Sequence, residues 1–198
     1  MTGRTHAALT EAPEWMRAEM PPGYQTRLWE MERLSAELGA MDRIGRVLWQ
    51  TAEPLRDAVV AVFAALKCEV DDEKGATGPI VVRLSESRRL LLIVSGSASP
   101  IPKTDDELAQ AFRAVQFASV NDRVVFVANV EPATPPADRP DPLLPDALGV
   151  LQRMGVVVVT TAFLFKLWRL WYEDQPKAQK LLERLSTQDG GLFGVPTR

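Results

Sequence analysis

The chain has 198 residues, of which 46% are apolar, and its 23 basic and 26 acidic side chains give a net charge of −3. This length and apolar fraction are typical of one globular core with short extensions, and they exclude a chain that is disordered throughout. A single cysteine, Cys68, and a single histidine, His6, exclude an intramolecular disulfide, a thiolate zinc site and nearly all serine–histidine or cysteine–histidine catalysis.

The sequence predicts neither a membrane span nor a secretory signal. The longest apolar run, residues 155–165, is shorter than the roughly 20 residues that a membrane-spanning helix needs, and two threonines interrupt it. The N-terminal residues lack the basic start and the apolar stretch of a signal peptide. We therefore expect a cytoplasmic protein without a membrane partner.

The N-terminal quarter of the chain predicts a flexible arm and then an amphipathic helix. Residues 1–23 are rich in small, charged and proline residues, which is typical of an irregular arm. In residues 24–49, apolar side chains recur at steps of three and four, as on one face of a helix. These side chains are Leu28, Met31, Leu34, Leu38, Met41, Ile44 and Leu48. The segment is interpreted either as a short coiled-coil arm that forms a dimer or as a helix lying on its own domain.

Residues 50–186 predict an α/β core that begins with a helix and a hairpin. Pro54 is favourable in the first turn of a helix, and a broad apolar face follows it. The polar run at residues 71–75 ends this helix. Two strands, at residues 80–84 and 90–94, are joined by a polar turn and are rich in residues that favour strands.

The second half of the core alternates helices with strands. Thr104 and Glu107 have the spacing of an N-cap and its partner, which predicts a helix over residues 105–118. Further segments predict, in order, a strand at 123–129, a helix at 146–154, a strand at 156–160 and a helical C-terminus at 162–185. Residues 187–198 predict a flexible tail. This order of elements indicates a central mixed sheet flanked by helices.

Short motifs occur along this core in a recognisable order. They are Pro54-Leu55-Arg56-Asp57-Ala58-Val59 on the first core helix, Ile93-Val94-Ser95-Gly96-Ser97 at a strand end, Leu108-Ala109-Gln110-Ala111-Phe112 on the next helix, Val127-Ala128-Asn129, Arg139 in a proline-rich loop, and residues 159–165. Over residues 47–185 the chain resembles the restriction-endonuclease-like, or PD-(D/E)xK, nuclease superfamily, and in particular its bacterial members with an N-terminal helical segment. The resemblance implies a restriction-endonuclease-like core.

The resemblance also implies a metal site, and this chain lacks its ligands. In active members a strand carries a glutamate, one intervening residue and a lysine, and the neighbouring strand carries an aspartate. A further glutamate lies on the first helix. The carboxylates hold a divalent cation, and this cation activates water. The strand glutamate corresponds to Ile93, the lysine to Ser95 and the helix glutamate to Arg56, while residues 79–83 contain no acid. The helix glutamine is retained as Gln110. We therefore expect no catalytic residue, no metal and no cofactor.

Basic residues leave a nucleic-acid surface open as an interpretation. Candidates around the nuclease-like cleft are Arg56, Arg83, Arg88, Arg89 and Gln110. Near the C-terminus a second set alternates with Trp168, Trp171 and Tyr172, and consists of Lys166, Arg169, Lys177, Lys180 and Arg184. Phosphate contacts and base stacking use such residues, but aromatic core packing with solvated lysines is the favoured interpretation because the whole chain is acidic.

The C-terminal helix is also more apolar than one buried face requires, which indicates an interaction surface. The candidates for this surface are Leu28, Met31, Leu34, Leu38, Met41, Phe165, Trp168 and Trp171. The sequence thus predicts a catalytically inactive nuclease-fold protein that serves as a protein-interaction, scaffolding or regulatory module and self-associates, most simply as a homodimer. One alternative is a nucleic-acid-binding pseudonuclease. Another is a metal-dependent nuclease with displaced ligands among Asp57, Asp71, Asp72 and Glu86.

Overall fold

The structure is a computed structural model that describes residues 14–17, 19–72 and 78–194. The chain divides into two compact units, residues 1–41 and 42–198. Across the described ranges, every helix is too short or too polar to cross a membrane.

The first unit is mainly helical. It contains a turn of 3-10 helix, Glu14–Arg17, and most of helix α1, Tyr24–Gly45. The helix predicted from residue 24 is present, but it ends at Gly45, and Arg46–Leu48 form a separate 3-10 turn. Four side chains of the predicted apolar face are exposed, namely Met31, Leu34, Leu38 and Met41. Ile44, which belongs to the second unit, is buried in the core of that unit.

A six-stranded mixed sheet forms the centre of the second unit, and its strands lie in the order of the chain. They are β1 (Glu69–Asp71), β2 (Ile80–Arg83), β3 (Arg89–Ser97), β4 (Asp122–Val130), β5 (Val157–Thr160) and β6 (Gly191–Leu192). β2 is antiparallel to both β1 and β3, whereas β3 to β6 are all parallel to one another. The hairpin predicted from the sequence is confirmed, with Ile80 opposite Leu92 in the β2–β3 ladder.

Helices cover both faces of this sheet, which confirms the α/β class. They are α2 (Ala52–Ala65), α3 (Asp106–Phe117), α4 (Pro145–Arg153), α5 (Thr161–Glu173) and α6 (Gln175–Thr187). Leu90 and Leu92 of β3 pack in one apolar core with α2, α5 and α6. Leu91 and Ile93 alternate to the opposite face and pack with α3 and α4. This alternation follows from the two-residue repeat of a strand, and β3 is buried on both faces because parallel strands are covered by crossover helices.

Two short edge strands were not predicted. β1 lies where the sequence indicates only the end of a helix, and β6 lies in the predicted flexible tail. β6 is held by the amide of Gly191, which donates to the Val156 carbonyl at 2.9 Å, and by the amide of Phe193, which donates to the Val158 carbonyl at 2.8 Å. Strands of two or three residues are too short to show a periodic pattern, so only pairing with the sheet reveals them.

The helical C-terminus is two helices and not one. Asp174 ends α5, and its carboxylate caps α6 by accepting from the amide of Lys177 at 3.0 Å. Pro176 occupies the first turn of α6, where its missing amide hydrogen costs nothing. The aspartate and the proline together explain why the chain breaks here.

Asp105, and not Thr104, is the N-cap of α3. Its carboxylate accepts from the amide of Glu107 at 3.1 Å. A side-chain hydrogen bond with this capping carboxylate, assisted by burial, raises the pKa of Glu107 to about 7. Glu107 is therefore easier to protonate in the folded chain than in the unfolded chain, where a glutamate has a pKa of about 4.3.

We expect Glu107 to make folding less favourable as the pH rises. A carboxyl with a raised folded-state pKa contributes stability that is complete below about pH 4.3 and is lost as the pH approaches about 7. Urea denaturation across this range therefore shows Glu107→Gln gaining stability relative to the wild type as the pH increases. Glu86→Gln, in the exposed β2–β3 turn, is the control and shows no such trend. A stability difference for Glu107→Gln that is constant with pH contradicts this assignment.

Candidate functional site

The positions that correspond to the nuclease ligands on β3 are buried and carry no carboxylate. Ile93 and Ser95 are two residues apart and therefore face the same side of the sheet. Ile93 is 2% exposed and belongs to the apolar core beneath α3, where Leu108 and Ala111 also lie. Ser95 is 3% exposed. Isoleucine has no oxygen ligand, and the serine hydroxyl is a single neutral oxygen, so these two positions lack the carboxylate charge that holds a magnesium ion.

A cleft of about 340 Å³ lies beside Ile93, between the β2–β3 hairpin and α3. Gln110 lines it, and so does Pro79, next to the strand on which the resemblance implies an aspartate. The structure thus brings two of the predicted positions, Ile93 and Gln110, to one cleft. Its other lining residues include Val81, Leu91, Ala114 and Phe117, which makes its wall largely apolar.

Among the described residues, the one acid that lines this cleft, Asp122, is already neutralised. Arg89 donates to both carboxylate oxygens of Asp122, from Nε and from Nη2, each at 2.8 Å. The guanidinium of Arg89 holds the pKa of Asp122 below its ordinary value, and Asp122 in turn raises the pKa of Arg89. The Asp122 side chain is 3% exposed. This bidentate pair, together with the amide of Ser119, which donates to Asp122 Oδ2 at 2.8 Å, neutralises the carboxylate and engages both of its oxygens.

Arg56 binds a second acid, the partly buried Asp72. It lies on α2, at the position of the implied helix glutamate, and is only 9% exposed. Its Nε and Nη2 both donate to the carboxylate of Asp72, and Nη2 also donates to the Gly78 carbonyl at 2.9 Å. A cation thus stands where the resemblance implies a ligand, and it pairs with one of the acids proposed as displaced ligands.

The remaining candidates for displaced ligands are scattered. Asp57 is exposed on α2, Glu86 is exposed in the β2–β3 turn, and Asp71 lies at the end of β1. Glu73 and Lys74, which follow Asp72 in the polar run at residues 71–75, lie outside the described residues. Among the residues that the structure describes, no three histidine, cysteine, aspartate or glutamate side chains are close enough to hold a metal ion.

Most of the candidate nucleic-acid contacts are paired with acids. Arg56 and Arg89 are bound as described, and Arg83 pairs with Glu69 at 3.2 Å on the surface. Arg88 is exposed in the hairpin turn. Because carboxylates already neutralise three of these four cations, little of their charge is available to phosphate groups.

Asn129 and Arg139, two landmarks of the resemblance, contact each other. Asn129 is fully buried at the carboxyl end of β4, and its Oδ1 accepts from Nη1 of Arg139 at 2.7 Å and from the hydroxyl of Thr161 at 2.7 Å. Its Nδ2 donates to the Gln50 carbonyl at 2.8 Å. Sequence reasoning missed Thr161 and Gln50, because nothing in their own neighbourhoods indicates a partner 32 or 79 residues away.

Arg139 extends this network into the proline-rich loop. Its Nε donates to the Thr134 carbonyl at 2.8 Å, and its Nη2 donates to the Leu48 carbonyl at 2.5 Å. Burial lowers the pKa of Arg139, and the nearby Glu131 partly opposes this effect. The network therefore joins the loop after β4 to the segment before α2.

Gly96 fits the same region for a packing reason. A side chain here would bring its Cβ within 3.2 Å of the Cα and Cβ of Thr51, at the start of α2. This is tighter than an ordinary van der Waals contact, so any other residue at position 96 would force Thr51 to move by a few tenths of an ångström. Close helix-to-sheet packing therefore favours glycine at this position.

The predicted interaction residues divide into an exposed and a buried set. On α1, Leu38 is 62% and Leu34 50% exposed, with Met31 and Met41 also exposed and Leu28 partly buried. On α5, Trp168 is in the core, and Phe165 and Trp171 are only partly exposed and pack against that core. The expectation of an exposed aromatic patch on α5 therefore differs from the structure, because these rings fill the space between α5, α6 and the sheet.

Cys68 lacks the features of a reactive thiol. It is partly buried and packs against the apolar core beneath α2. Desolvation raises the pKa of its thiol to about 11, so the thiol stays protonated at neutral pH.

Comparisons with models of known protein families, with curated protein sequences and with solved structures find no significant match to this chain. Inference about function therefore starts from the geometry described above.

We expect the buried amide of Asn129 to be essential for stability. Asn129→Ala leaves Arg139, the Thr161 hydroxyl and the Gln50 carbonyl without this hydrogen-bond partner. Each buried polar group that loses its partner lowers the free energy of unfolding. The free energy of unfolding in urea falls by about 2–4 kcal/mol. Asn121→Ala, at an exposed asparagine just before β4, is the control and changes stability by less than about 0.5 kcal/mol. Equal effects of the two substitutions contradict this expectation.

We also expect the Arg56–Asp72 pair to be strongly coupled. Arg56→Ala leaves the Asp72 carboxylate, which is 24% exposed, and the Gly78 carbonyl without their partner, and it destabilises the fold by about 2–3 kcal/mol. Removing Asp72 in addition costs little more, because the unpaired charge disappears.

The exposed Arg83–Glu69 pair is the matched control, with side chains that are 50% and 68% exposed. Breaking it changes the free energy of unfolding by less than about 1 kcal/mol. If the two losses in the Arg56→Ala/Asp72→Ala double variant simply add, the two residues are not coupled and the interpretation is wrong.

Proposed function

We propose that this protein is a catalytically inactive member of the restriction-endonuclease-like superfamily that acts as a protein-interaction module and self-associates through helix α1. The observation that carries the proposal is the exposed apolar face of α1. Its side chains Met31, Leu34, Leu38 and Met41 are between 39% and 62% exposed and recur at helical spacing. A contiguous apolar face of this kind is costly in water unless another surface covers it.

The loss of catalysis is supported by what occupies the ligand positions. The order of helices and strands follows the one that suggested the family, and Asn129, Arg139 and Gly96 have packing or hydrogen-bonding roles that preserve such a core. At the ligand positions, however, stand Ile93, Ser95 and Arg56, and Arg56 neutralises Asp72. A protein that retains the architecture while replacing metal ligands by an apolar residue and a cation is suited to binding and not to hydrolysis.

Nucleic-acid binding is the second candidate function, and one observation favours it. Five cations line a groove between α5 and α6, although the chain as a whole is acidic. Base stacking requires exposed rings, however, and Phe163, which lines this groove, is buried, while the exposed Tyr172 does not line it. Binding of this kind depends steeply on salt, which distinguishes it from an apolar protein contact.

We expect Leu34→Ser/Leu38→Ser to weaken self-association. Each leucine is about half covered in the monomer and contributes about 0.7 kcal/mol when its side chain becomes fully buried. A homodimer of the variant lacks four such leucines, so the substitutions weaken the dimer by about 100-fold. The measurement is light scattering over a dilution series, in which the wild type has twice the chain mass of 21.9 kDa. The stability of the chain stays unchanged, because both side chains are exposed in the monomer.

Phe112→Ser/Phe117→Ser is the matched control, since these phenylalanines are 51% and 84% exposed on α3. This variant dimerises as the wild type does. A wild-type chain that is monomeric at all concentrations contradicts the proposal. Magnesium- or manganese-dependent cleavage of DNA or RNA that is lost in Asp72→Ala contradicts it as well and supports a nuclease with displaced ligands.

A further inference from the structure

Helices α5 and α6 form a groove of about 650 Å³ with an apolar floor and a basic rim. We call it the α5–α6 groove. Its floor consists of Phe163, Leu167, Leu170 and Leu181. Its rim carries Lys166, Arg169, Lys177, Lys180 and Arg184, with Glu173 as the one carboxylate. Such a combination favours an amphipathic segment whose apolar side is flanked by acids.

Three of the rim cations are available to a partner. Arg169 pairs with Glu173 at 3.6 Å, and Arg184 lies over the ring of Phe193 at 5.8 Å. Lys166, Lys177 and Lys180 are exposed and make no ion pair with any acid in the described part of the chain. The rim is therefore a concentration of uncompensated positive charge on an otherwise acidic protein.

The apolar face of α1 has the complementary pattern. Residues 30–42 contain four acids, Glu30, Glu32, Glu37 and Asp42, and only one cation, Arg33. Glu30, Glu37 and Asp42 are adjacent in sequence to Met31, Leu38 and Met41, so they border the apolar face on both sides. Glu37 pairs with Arg33 at 2.9 Å in an exposed ion pair, which leaves the segment a net charge of −3 from its four acids and one cation. The segment therefore offers apolar side chains to a groove floor and net negative charge to its rim.

The dimensions of the two surfaces also agree. Helices α5 and α6 have 13 residues each, which at the rise of an α-helix makes each about 20 Å long. The segment of residues 30–42 is also 13 residues of helix and spans about 20 Å. The segment of residues 30–42 is therefore about as long as the helices that form the groove.

Pairing of α1 with α1 of another copy is less favourable, because it brings acids together. Met31, Leu34, Leu38 and Met41 have the spacing of coiled-coil a and d positions, which makes Glu30 and Glu37 g residues and Asp42 an e residue. A parallel pair places Glu37 against Asp42 of the other helix, and an antiparallel pair places glutamates against each other. Neither arrangement forms an attractive interhelical ion pair.

We propose that the α5–α6 groove receives the acidic apolar face of α1, residues 30–42, from a second copy of this chain. The inference rests on the self-association proposed above and specifies its geometry. Two such contacts form reciprocally in one symmetric dimer, so each dimer buries two helices and two grooves. The floor residues and the α1 leucines supply the apolar burial, and the rim lysines select the acidic helix.

The test reverses charge on each side of this contact in the full-length chain. The groove variant is Lys166→Glu/Lys177→Glu/Lys180→Glu, and the helix variant is Glu30→Lys/Glu37→Lys/Asp42→Lys. Each is expected to raise the dimer dissociation constant at least about 30-fold at 0.15 M salt, measured by sedimentation or light scattering. The control Lys103→Glu/Arg113→Glu/Arg153→Glu makes the same change in net charge as the groove variant, but on exposed residues elsewhere. It is expected to retain the wild-type dissociation constant.

The decisive experiment mixes the groove variant with the helix variant and measures their association. The groove variant and the helix variant, each monomeric alone, are expected to form a 1:1 heterodimer, because both contacts in that pair again join opposite charges. A single chain that carries all six reversals regains a homodimer for the same reason. Failure of both combinations to associate overturns the inference.

The outcomes separate this inference from the proposal on which it rests. If the wild type dimerises and Leu34→Ser/Leu38→Ser weakens the dimer, but the groove variant dimerises normally, self-association stands and the groove is not its site. If the groove variant and the charge control weaken the dimer equally, the effect is one of net charge and the inference is overturned. A monomeric wild type overturns both. Nucleic acid that copurifies and is lost from the groove variant, with no dimer, overturns both and assigns the groove to phosphate contacts.

Discussion

The buried amide of Asn129 is the constraint on which the arrangement of the second unit depends. It lies at the carboxyl end of β4 and joins three distant parts of the chain, the segment before α2, the loop after β4 and the start of α5. Because an unpaired polar group in this position is costly, all three partners must be present together. Arg139 then ties the proline-rich loop to the Leu48 carbonyl. These bonds hold the ends of the central strands in place.

Two ion pairs bind the acids beside the positions at which the resemblance implies a metal site. Arg56 pairs with Asp72, and Arg89 pairs with Asp122 at the opposite end of β4 from Asn129, so both carboxylates are already bound by guanidinium groups. A divalent cation at Asp72 would have to displace Arg56 and leave the charge of this 9% exposed residue unpaired. The proposed role as an interaction module follows from these occupied carboxylates together with the two surfaces that carry exposed apolar or uncompensated basic side chains, the α1 face and the α5–α6 groove.

Much of the fold was predictable from the sequence, whereas less of the site was. The β2–β3 hairpin, α3, β4 and β5 all follow from apolar periodicity and capping residues, since these signals are local. The edge strands β1 and β6 were missed, because their pairing partners and not their own residues make them strands. Asn129 and Arg139 were singled out, but their mutual contact and the role of Thr161 were not. The burial of Trp168 was also missed, because periodicity does not show how many sides of a helix are covered.

The sequence by itself determined the α/β class, the absence of ligand-type residues at positions 56, 93 and 95, and the apolar face of α1, because each depends on the identity and spacing of neighbouring residues. Only the tertiary structure decided which charges remain available. Arg56 and Arg89 are indistinguishable in sequence from Lys177 and Lys180 as candidate cations, yet the first two are bound to carboxylates 16 and 33 residues away, and the lysines make no ion pair within the described residues. Whether a charge is compensated depends on residues that are far apart in the sequence, so the spacing of residues along the chain does not reveal it.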